Sequence, residues 1–163
     1  MKIAIISDIH DNLVNLEKCL SWCKADCVEQ LICCGDVTNA ETVQFISENF
    51  PHQIHLVRGN ADIFGDKEIK RLANINNYGR IALVELAGKK IGVCHEPFLI
   101  GKVLELGVCD IVFYGHTHKP WESKEAGVRA INPGTLGGVF QKATFAVWDM
   151  GKEELELKIL ELL

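Results

Sequence analysis

His116 and His118 stand two residues apart in Tyr114-Gly115-His116-Thr117-His118, directly after the run Asp110-Ile111-Val112-Phe113. With that run as a buried strand, its end carries two imidazoles on one tight loop, and Gly115 lets the backbone pass close to whatever they hold. A single His-x-His is a weak signal. It gains force because three further segments set ligating side chains in the same way, after a short apolar run and at a sharp or glycine-containing loop: Ser7-Asp8-Ile9-His10, Cys34-Gly35-Asp36 and Gly59-Asn60-Ala61-Asp62. Cys94-His95 closes another apolar run.

Asp8, His10, Asp36, Asn60, His95, His116 and His118 can therefore meet at one edge of a sheet. Carboxylate, imidazole and amide oxygen together suit divalent Mn, Fe, Ni or Zn. Seven ligands are too many for one such ion and suit two ions sharing a bridging carboxylate, an arrangement that commonly serves phosphate-ester hydrolysis. Each residue alone has a plainer account. An Asp after a strand is often a turn former or helix cap, and a lone His is more often hydrogen-bonded than ligating. His52 and His55, away from any strand-end loop, are read that way. Five strand-end loops in one chain go beyond what folding requires. They also lie where open α/β sheets bind ligands, outside the carboxyl ends of the strands.

The elements that must position these loops follow from the apolar pattern. Residues 2–7 are too short a run for a helix and read as a buried parallel strand. Asp11 or Asn12 can cap the next helix, with Leu13, Leu16, Leu20 and Cys23 on its buried face. A strand over 29–34 precedes a helix over 40–49, capped by Thr38 or Asn39, facing Val43, Ile46 and Phe50 inward and stopped by Pro51. A strand over 53–58 completes β-α-β-α-β, which predicts a parallel sheet with right-handed crossovers. Residues 63–79 are polar and turn-rich, a loop or short helix over the site. Strands over 80–86 and 90–95 meet at a hairpin through Ala87-Gly88-Lys89. A helix spans 98–106, and 109–114 is the strand before His-x-His. Strands over 121–125, 128–132, 143–149 and 154–160 follow, with turns at Gly127 and Gly151. A parallel half followed by an antiparallel half predicts an α/β fold of two mixed β-sheets packed face to face, with helices on the outer faces.

The 163 residues suit one domain, 1–163, with its own core. A net charge of −5 speaks against broad nucleic-acid or membrane-surface binding, which asks for a basic patch. The opening Met1-Lys2-Ile3-Ala4-Ile5-Ile6 is too short for a signal peptide or membrane span, so a cytoplasmic protein is expected. Seven cysteines, an odd number without a Cys-x-x-Cys pair, sit in apolar elements and read as reduced, mostly buried thiols. Whether the chain forms a homo-oligomer stays open, since an apolar patch reads equally as core or interface.

Asp8-x-His10, Gly35-Asp36, Gly59-Asn60-x-Asp62, His95 and Gly115-His116-x-His118 occur in the order found in the calcineurin-like metallophosphoesterases. With Asn132-Pro133-Gly134 after the His-x-His motif, the chain most resembles the small single-domain phosphodiesterase branch of that family. The resemblance spans nearly the whole chain. It implies a four-layer sandwich and two divalent metal ions. Asp8, His10, Asp36 and His118 would hold one, and Asp36, Asn60, His95 and His116 the other, with Asp36 bridging. It implies a metal-dependent phosphoesterase, most readily a phosphodiesterase, that hydrolyses a small phosphate ester, nucleotide-like substrates included. A hydroxide activated by both ions would attack phosphorus in line. Asp62 would orient the Gly59-Asn60 turn or a ligand. Asn132 would hold the neighbouring loop by hydrogen bonds. Arg58 reads as an ion-pair partner or a phosphate contact.

Two departures bear on the proton donor. Many members of the family carry a His after the Asn of Gly-Asn-x-Asp, where this chain has Ala61. Many also continue the preceding metal His with Gly-His, where this chain has Glu96-Pro97. Either the enzyme favours acidic leaving groups or Glu96 donates the proton. Two other functions share the fold. One is an interaction scaffold such as the retromer subunit, whose metal positions have partly drifted. The other is a phosphomonoesterase, with Arg58, Lys119 and residues 63–79 around a dianionic phosphate. Trp121 reads as core packing before it reads as a stacking platform.

Overall fold

Ile3 and Ile5 face one way along β1 (Lys2–Ile6), Ala4 and Ile6 face the other, and all four are fully buried. A strand covered on both faces belongs inside a layered molecule. The computed structural model describes residues 1–163 and shows the layers. β1 lies within a six-stranded sheet. β2 (Gln30–Cys33), β3 (Gln53–Leu56) and β4 (Ile75–Asn77) run parallel to it on one side. The second sheet has five strands: β5 (Ile81–Leu86), β6 (Lys89–Cys94), β7 (Ile111–Phe113), β8 (Trp121–Glu125) and β9 (Val128–Asn132), in the order β5-β6-β7-β9-β8. There β6, β7 and β9 are parallel, with β5 and β8 antiparallel at the edges. The chain then returns to the first sheet, adding β10 (Thr144–Asp149) antiparallel to β1 and β11 (Glu154–Ile159) beyond it.

Ile3, Ile5, Ile32, Trp148 and Ala146 of the first sheet pack against Val84, Ile91, Val93, Ile111 and Phe113 of the second, forming the inter-sheet core. On the outer face of the first sheet, α1 (Leu13–Ala25) and α2 (Ala40–Asn49) bury Leu16, Cys19, Leu20, Cys23, Val43 and Ile46. A 3₁₀ turn over Pro97–Leu99 runs into α4 (Ile100–Glu105), which covers the second sheet with Leu99, Ile100 and Val103. α3 (Asp66–Ile69) is a single turn. The sandwich of two mixed sheets between helices is thus as the sequence predicts. No helix is long and apolar enough to cross a membrane.

Three expectations need correction. Residues 63–79, read as a loop or short helix, hold α3 and also β4, an extra edge strand. Ile75-Asn76-Asn77 carries no apolar alternation. Its strand character comes from pairing, through the Ile54 amide on the Asn74 carbonyl (2.8 Å) and the Tyr78 amide on the Leu56 carbonyl (3.0 Å). Leu13, placed on the buried face of α1, is 44 % exposed. The first turn is held by Asn12, whose side chain accepts the Asn15 amide, rather than by packing. Trp121 is 57 % exposed, because it opens the edge strand β8, which has only β9 beside it.

Gly92 of β6 marks where α4 docks. A Cβ there would lie 2.5 Å from Val103 Cγ1 and 3.0 Å from Val112 Cγ2. Overpacking of this kind costs about 1–3 kcal/mol. Gly92→Ala should lower unfolding stability by that amount in a urea titration, with the denaturant slope unchanged. An unaltered midpoint would mean that the helix shifts freely and does not fix this layer.

Candidate active site

Five of the parallel strands, β1, β2 and β3 of the first sheet and β6 and β7 of the second, end at the same edge of the sandwich and carry a candidate ligand there. Asp8 and His10 follow β1, Asp36 follows β2 and Asn60 follows β3. His95 follows β6, and His116 and His118 follow β7. The loops are woven together by main-chain hydrogen bonds. Asp8 N–H donates to the Gly35 carbonyl (3.0 Å), Ile9 and His10 N–H to the Asp36 carbonyl (2.9 and 3.0 Å), Gly115 N–H to the His95 carbonyl (2.9 Å) and Gly137 N–H to the Asp8 carbonyl (2.9 Å). Such short turns force unusual backbone. Asp8, His10, Asp36, His116 and His118 all have left-handed φ, at 53°, 47°, 53°, 71° and 59°. For residues bearing a Cβ this costs on the order of 1 kcal/mol each, and such strain gathers at functional sites. Glycine permits the closest approaches. A Cβ on Gly59 would lie 2.0 Å from Asp36 Oδ1, and one on Gly115 1.9 Å from Ser7 Oγ.

Five of the seven side chains converge closely. Asp8 Oδ1 lies 3.3 Å from His118 Nε2, 3.8 Å from His10 Nε2 and 3.9 Å from His95 Nε2. Asp36 Oδ2 lies 3.1 Å from His95 Nε2 and 3.9 Å from His10 Nε2. His10 Nε2 and His118 Nε2 are 3.1 Å apart. The ring orientations fit metal ligation. The other nitrogen of His95, Nδ1, meets the Cys34 carbonyl at 2.8 Å, and that of His118 meets the Val139 carbonyl at 3.2 Å. A ring that donates from Nδ1 to a carbonyl turns the lone pair of Nε2 into the cluster. His95 Nε2 is buried and makes no aligned hydrogen bond, despite its nearness to Asp36. Two groups of ligand atoms, Asp8 with His10 and His118, and Asp8 with Asp36 and His95, each lie within 4.8 Å. Converging carboxylate and imidazole lone pairs in a buried place are what a divalent cation satisfies.

Electrostatics tie the cluster together. Burial pushes the Asp8 carboxyl above the ordinary carboxylate range, with His95, Ser7 and His118 offsetting part of the effect. For Asp36 burial works the same way, but His95, the Ala61 amide and His10 outweigh it and leave the carboxyl lowered. Burial alone would depress His95. The Asp36 and Asp8 carboxylates overcome it and hold the imidazole above its ordinary value.

The remaining candidates sit around this cluster. Asn60 and His116 are exposed, and the His116 ring stands edge-on to His95 with centroids 5.3 Å apart. The His116 amide donates to both Asp8 oxygens, at 3.2 and 3.0 Å. Asp62 joins two loops. Oδ2 accepts from the Gly59 and Asp36 amides (2.7 and 3.2 Å) and Oδ1 from the Thr38 amide (2.7 Å). Asn132 donates to the Gly115 carbonyl (2.7 Å) and to Thr117 Oγ1 (3.0 Å), bracing the His-x-His loop. Glu96 is buried and its Oε1 pairs with Arg80. Arg58 pairs with Asp66 at 2.9 Å and lies over the Phe64 ring. His55 is buried and bonded to Tyr78 and Gln30.

Sequence reasoning did not single out Arg80 or Phe140, and it read Asp11 as a cap for α1, a place that Asn12 takes. Asp11 caps α2 from another loop, accepting from the Asn39 amide and from Thr42 Oγ1 at 2.6 Å. Thr42 one turn into that helix was the only available hint. Phe140 stacks on His118 from a loop with no ligating residue, so no spacing signal marks it.

The family model of the calcineurin-like phosphoesterase superfamily domain matches residues 1–153. Phosphodiesterase MJ0936 of Methanocaldococcus jannaschii is 31 % identical over 167 residues, covering 99 % of this chain and 100 % of its own. Phosphodiesterase YfcE of Escherichia coli is 24 % identical over 149 residues, 83 % of this chain and 79 % of that one. A solved structure of a novel archaeal phosphodiesterase superposes with a TM-score of 0.84 at 27 % identity, covering 98 % of this chain and 99 % of the other. Vacuolar protein sorting 29 from Cryptosporidium parvum shares the fold, with a TM-score of 0.65 at 21 % identity over 96 % and 95 % of the two chains.

His95 must be neutral to bind a cation, and its neighbours hold it protonated to higher pH than an ordinary imidazole. Affinity for Mn²⁺, measured by calorimetry, should therefore rise with pH through that raised value and then level off, and His95→Gln should flatten the rise. A wild-type affinity independent of pH would remove His95 from the ligand set. Gly59→Ala, which drives a methyl group into Asp36, should lower bound metal at least tenfold in metal analysis of the purified protein.

Proposed function

The chain belongs to the calcineurin-like phosphoesterase superfamily, and from that membership we propose that it is a metal-dependent phosphodiesterase acting on a small phosphate ester. The observation that carries the reading is the convergence of Asp8, His10, Asp36, His95 and His118, all but His95 in left-handed backbone, at one edge of both sheets. Asp8, His10, Asp36 and His118 would hold one divalent ion, and Asp36, Asn60, His95 and His116 a second. Bound there, divalent ions supply Lewis acidity and a water of lowered pKa. The chain supplies the geometry. Cys34 and Val139 carbonyls fix two imidazoles, Asp62 fixes the loops of Asp36 and Asn60, and Asn132 fixes that of His116 and His118. The seven free thiols, six of them buried, fit a reducing cytoplasm.

Two alternatives weaken against the geometry. A monoesterase needs cations for a dianion, but Arg58 is engaged by Asp66 and Phe64, and Lys119 lies over Trp121. The interaction-scaffold reading rests on likeness of fold, while every ligand position here carries a competent side chain.

Ala61 offers no proton, and we assign Glu96 to holding Arg80 rather than to protonating the leaving group. Rates on diesters of graded leaving-group pKa should then fall steeply as the leaving group becomes more basic, equally in wild type and Glu96→Gln. A flat dependence in wild type that steepens in Glu96→Gln would make Glu96 the donor. The reading as a whole is tested with bis-p-nitrophenyl phosphate and p-nitrophenyl phosphate on chelator-stripped protein re-supplied with Mn²⁺, Ni²⁺ or Zn²⁺. Metal-dependent turnover of the diester well above the monoester is expected, and Asp36→Ala or His116→Ala should lower metal content and activity together. Full activity in stripped protein or in Asp36→Ala would overturn it.

A further inference from the structure

Phe140 is 93 % exposed, the highest value among the large apolar side chains. It is also held in left-handed backbone, φ 60°. Leaving a phenyl ring in water forgoes the stabilisation of burial, and left-handed backbone adds strain for a residue with a Cβ. Folding rewards neither. The backbone that carries the ring is nevertheless anchored. Its loop is tied to the ligand loops by the Gly137 amide on the Asp8 carbonyl (2.9 Å) and by Asn12 Nδ2 on the Gly137 carbonyl (2.9 Å). His118 Nδ1 meets the Val139 carbonyl at 3.2 Å. Phe140 then stacks on the His118 imidazole, centroids 6.5 Å apart and planes 23° off parallel. Nε2 of that same imidazole faces Asp8 and His10. One histidine thus carries the cluster at one nitrogen and an exposed phenyl face beside its ring.

We propose that Phe140 is a specificity-determining residue, an apolar wall on which an aromatic group of the ester stacks while its phosphoryl group sits at the Asp/His cluster. The inference rests on the phosphodiesterase reading and narrows it to esters that bear an aryl ring or a nucleobase. Aromatic stacking is sequence- and substituent-tolerant because every ring has a π-face. Phe140 therefore selects aromatic over alkyl esters without choosing among aromatic ones.

The test measures binding of non-hydrolysed probes to Mn²⁺-loaded protein by calorimetry, using phenylphosphonate, the analogue of adenosine 5′-monophosphate in which a methylene replaces the ester oxygen, and methylphosphonate. Stacking of one ring corresponds to about tenfold or more in affinity. Phe140→Ala should weaken phenylphosphonate by about that factor and leave methylphosphonate unchanged, while Phe140→Trp retains the preference. A parallel loss for the nucleobase probe is expected, since any ring can stack, and a loss confined to phenylphosphonate would overturn the tolerance among aromatic groups. In turnover of bis-p-nitrophenyl phosphate the same Ala variant should raise KM with kcat kept. Val108→Ser is the control, an exposed apolar residue just ahead of β7, at the end of the strand opposite the site. An unchanged ratio of phenyl- to methylphosphonate affinity in Phe140→Ala overturns the inference even if wild type hydrolyses diesters. Wild-type protein that turns over no diester with any metal overturns the phosphodiesterase reading instead, whatever Phe140→Ala does to phenylphosphonate.

Discussion

Asp8 carries more of this molecule's organisation than any other residue. Its carboxylate is fully buried, lies beside three imidazoles, and accepts both hydrogen bonds of the His116 amide. Its own carbonyl accepts from Gly137 and from Thr135 Oγ1 (2.8 Å). A buried carboxylate is costly unless charge and hydrogen bonds compensate it. Here the compensation is drawn from both sheets, since His95 and His118 come from the second and Asp8 from the first. The face-to-face packing of the sheets and the electrostatic balance of the site are thus one constraint. Sliding one sheet over the other would leave Asp8 without its partners.

The strain in the loops follows from the same demand. Bringing five polar side chains from four loops within a few ångströms leaves no room for ordinary turns, and the backbone answers with left-handed Asp and His residues. Proteins tolerate such strain where the surroundings over-determine the conformation. The interleaved main-chain hydrogen bonds of Asp8, Ile9, His10 and Gly115 provide that. Rigidity beneath the site then comes from the apolar sandwich, in which Phe113, immediately before the His-x-His loop, packs its ring against Trp148 of the other sheet.

Much of this was legible in the sequence, for identifiable reasons. Short buried strands such as Ile3 to Ile6 and Ile111 to Phe113 announce themselves by continuous apolar runs, and Gly or Asn-Gly-like punctuation marks their ends. The alternation of Leu155 to Ile159 correctly signals β11. What stayed hidden depends on contacts distant in sequence. β4 is a strand because β3 offers it an edge, not because Ile75-Asn76-Asn77 favours one. Trp121 is exposed because of β8's place at an edge, which its composition does not state. Arg80 becomes notable only once Glu96 is seen to pair with it across a β5–β6 register that sets Ile81 opposite Cys94. Left-handed φ at Asp8, Asp36 and His118 is equally unreadable, since Asp and His adopt ordinary backbone elsewhere.

The fold alone does not decide between an enzyme and a scaffold, because one fold can host unrelated functions. The distinction lies in what the rim of the site presents. A surface built for a protein partner would spread its apolar residues over a broad face, whereas catalysis needs the charge-bearing cluster to be buried and only its approach to be shaped. This chain buries Asp8, Asp36 and His95 and leaves His116 and Asn60 at the mouth. The charge also argues for selective recognition. With a net charge of −5, general attraction of phosphate esters is weak, and the draw on an anion must come from the cluster once cations neutralise its carboxylates. Such an attraction reads phosphate but not the groups attached to it. Discrimination among esters then falls to neutral contacts at the rim, and there the phenyl ring of Phe140, stacked beside His118, offers a contact that surface charge cannot.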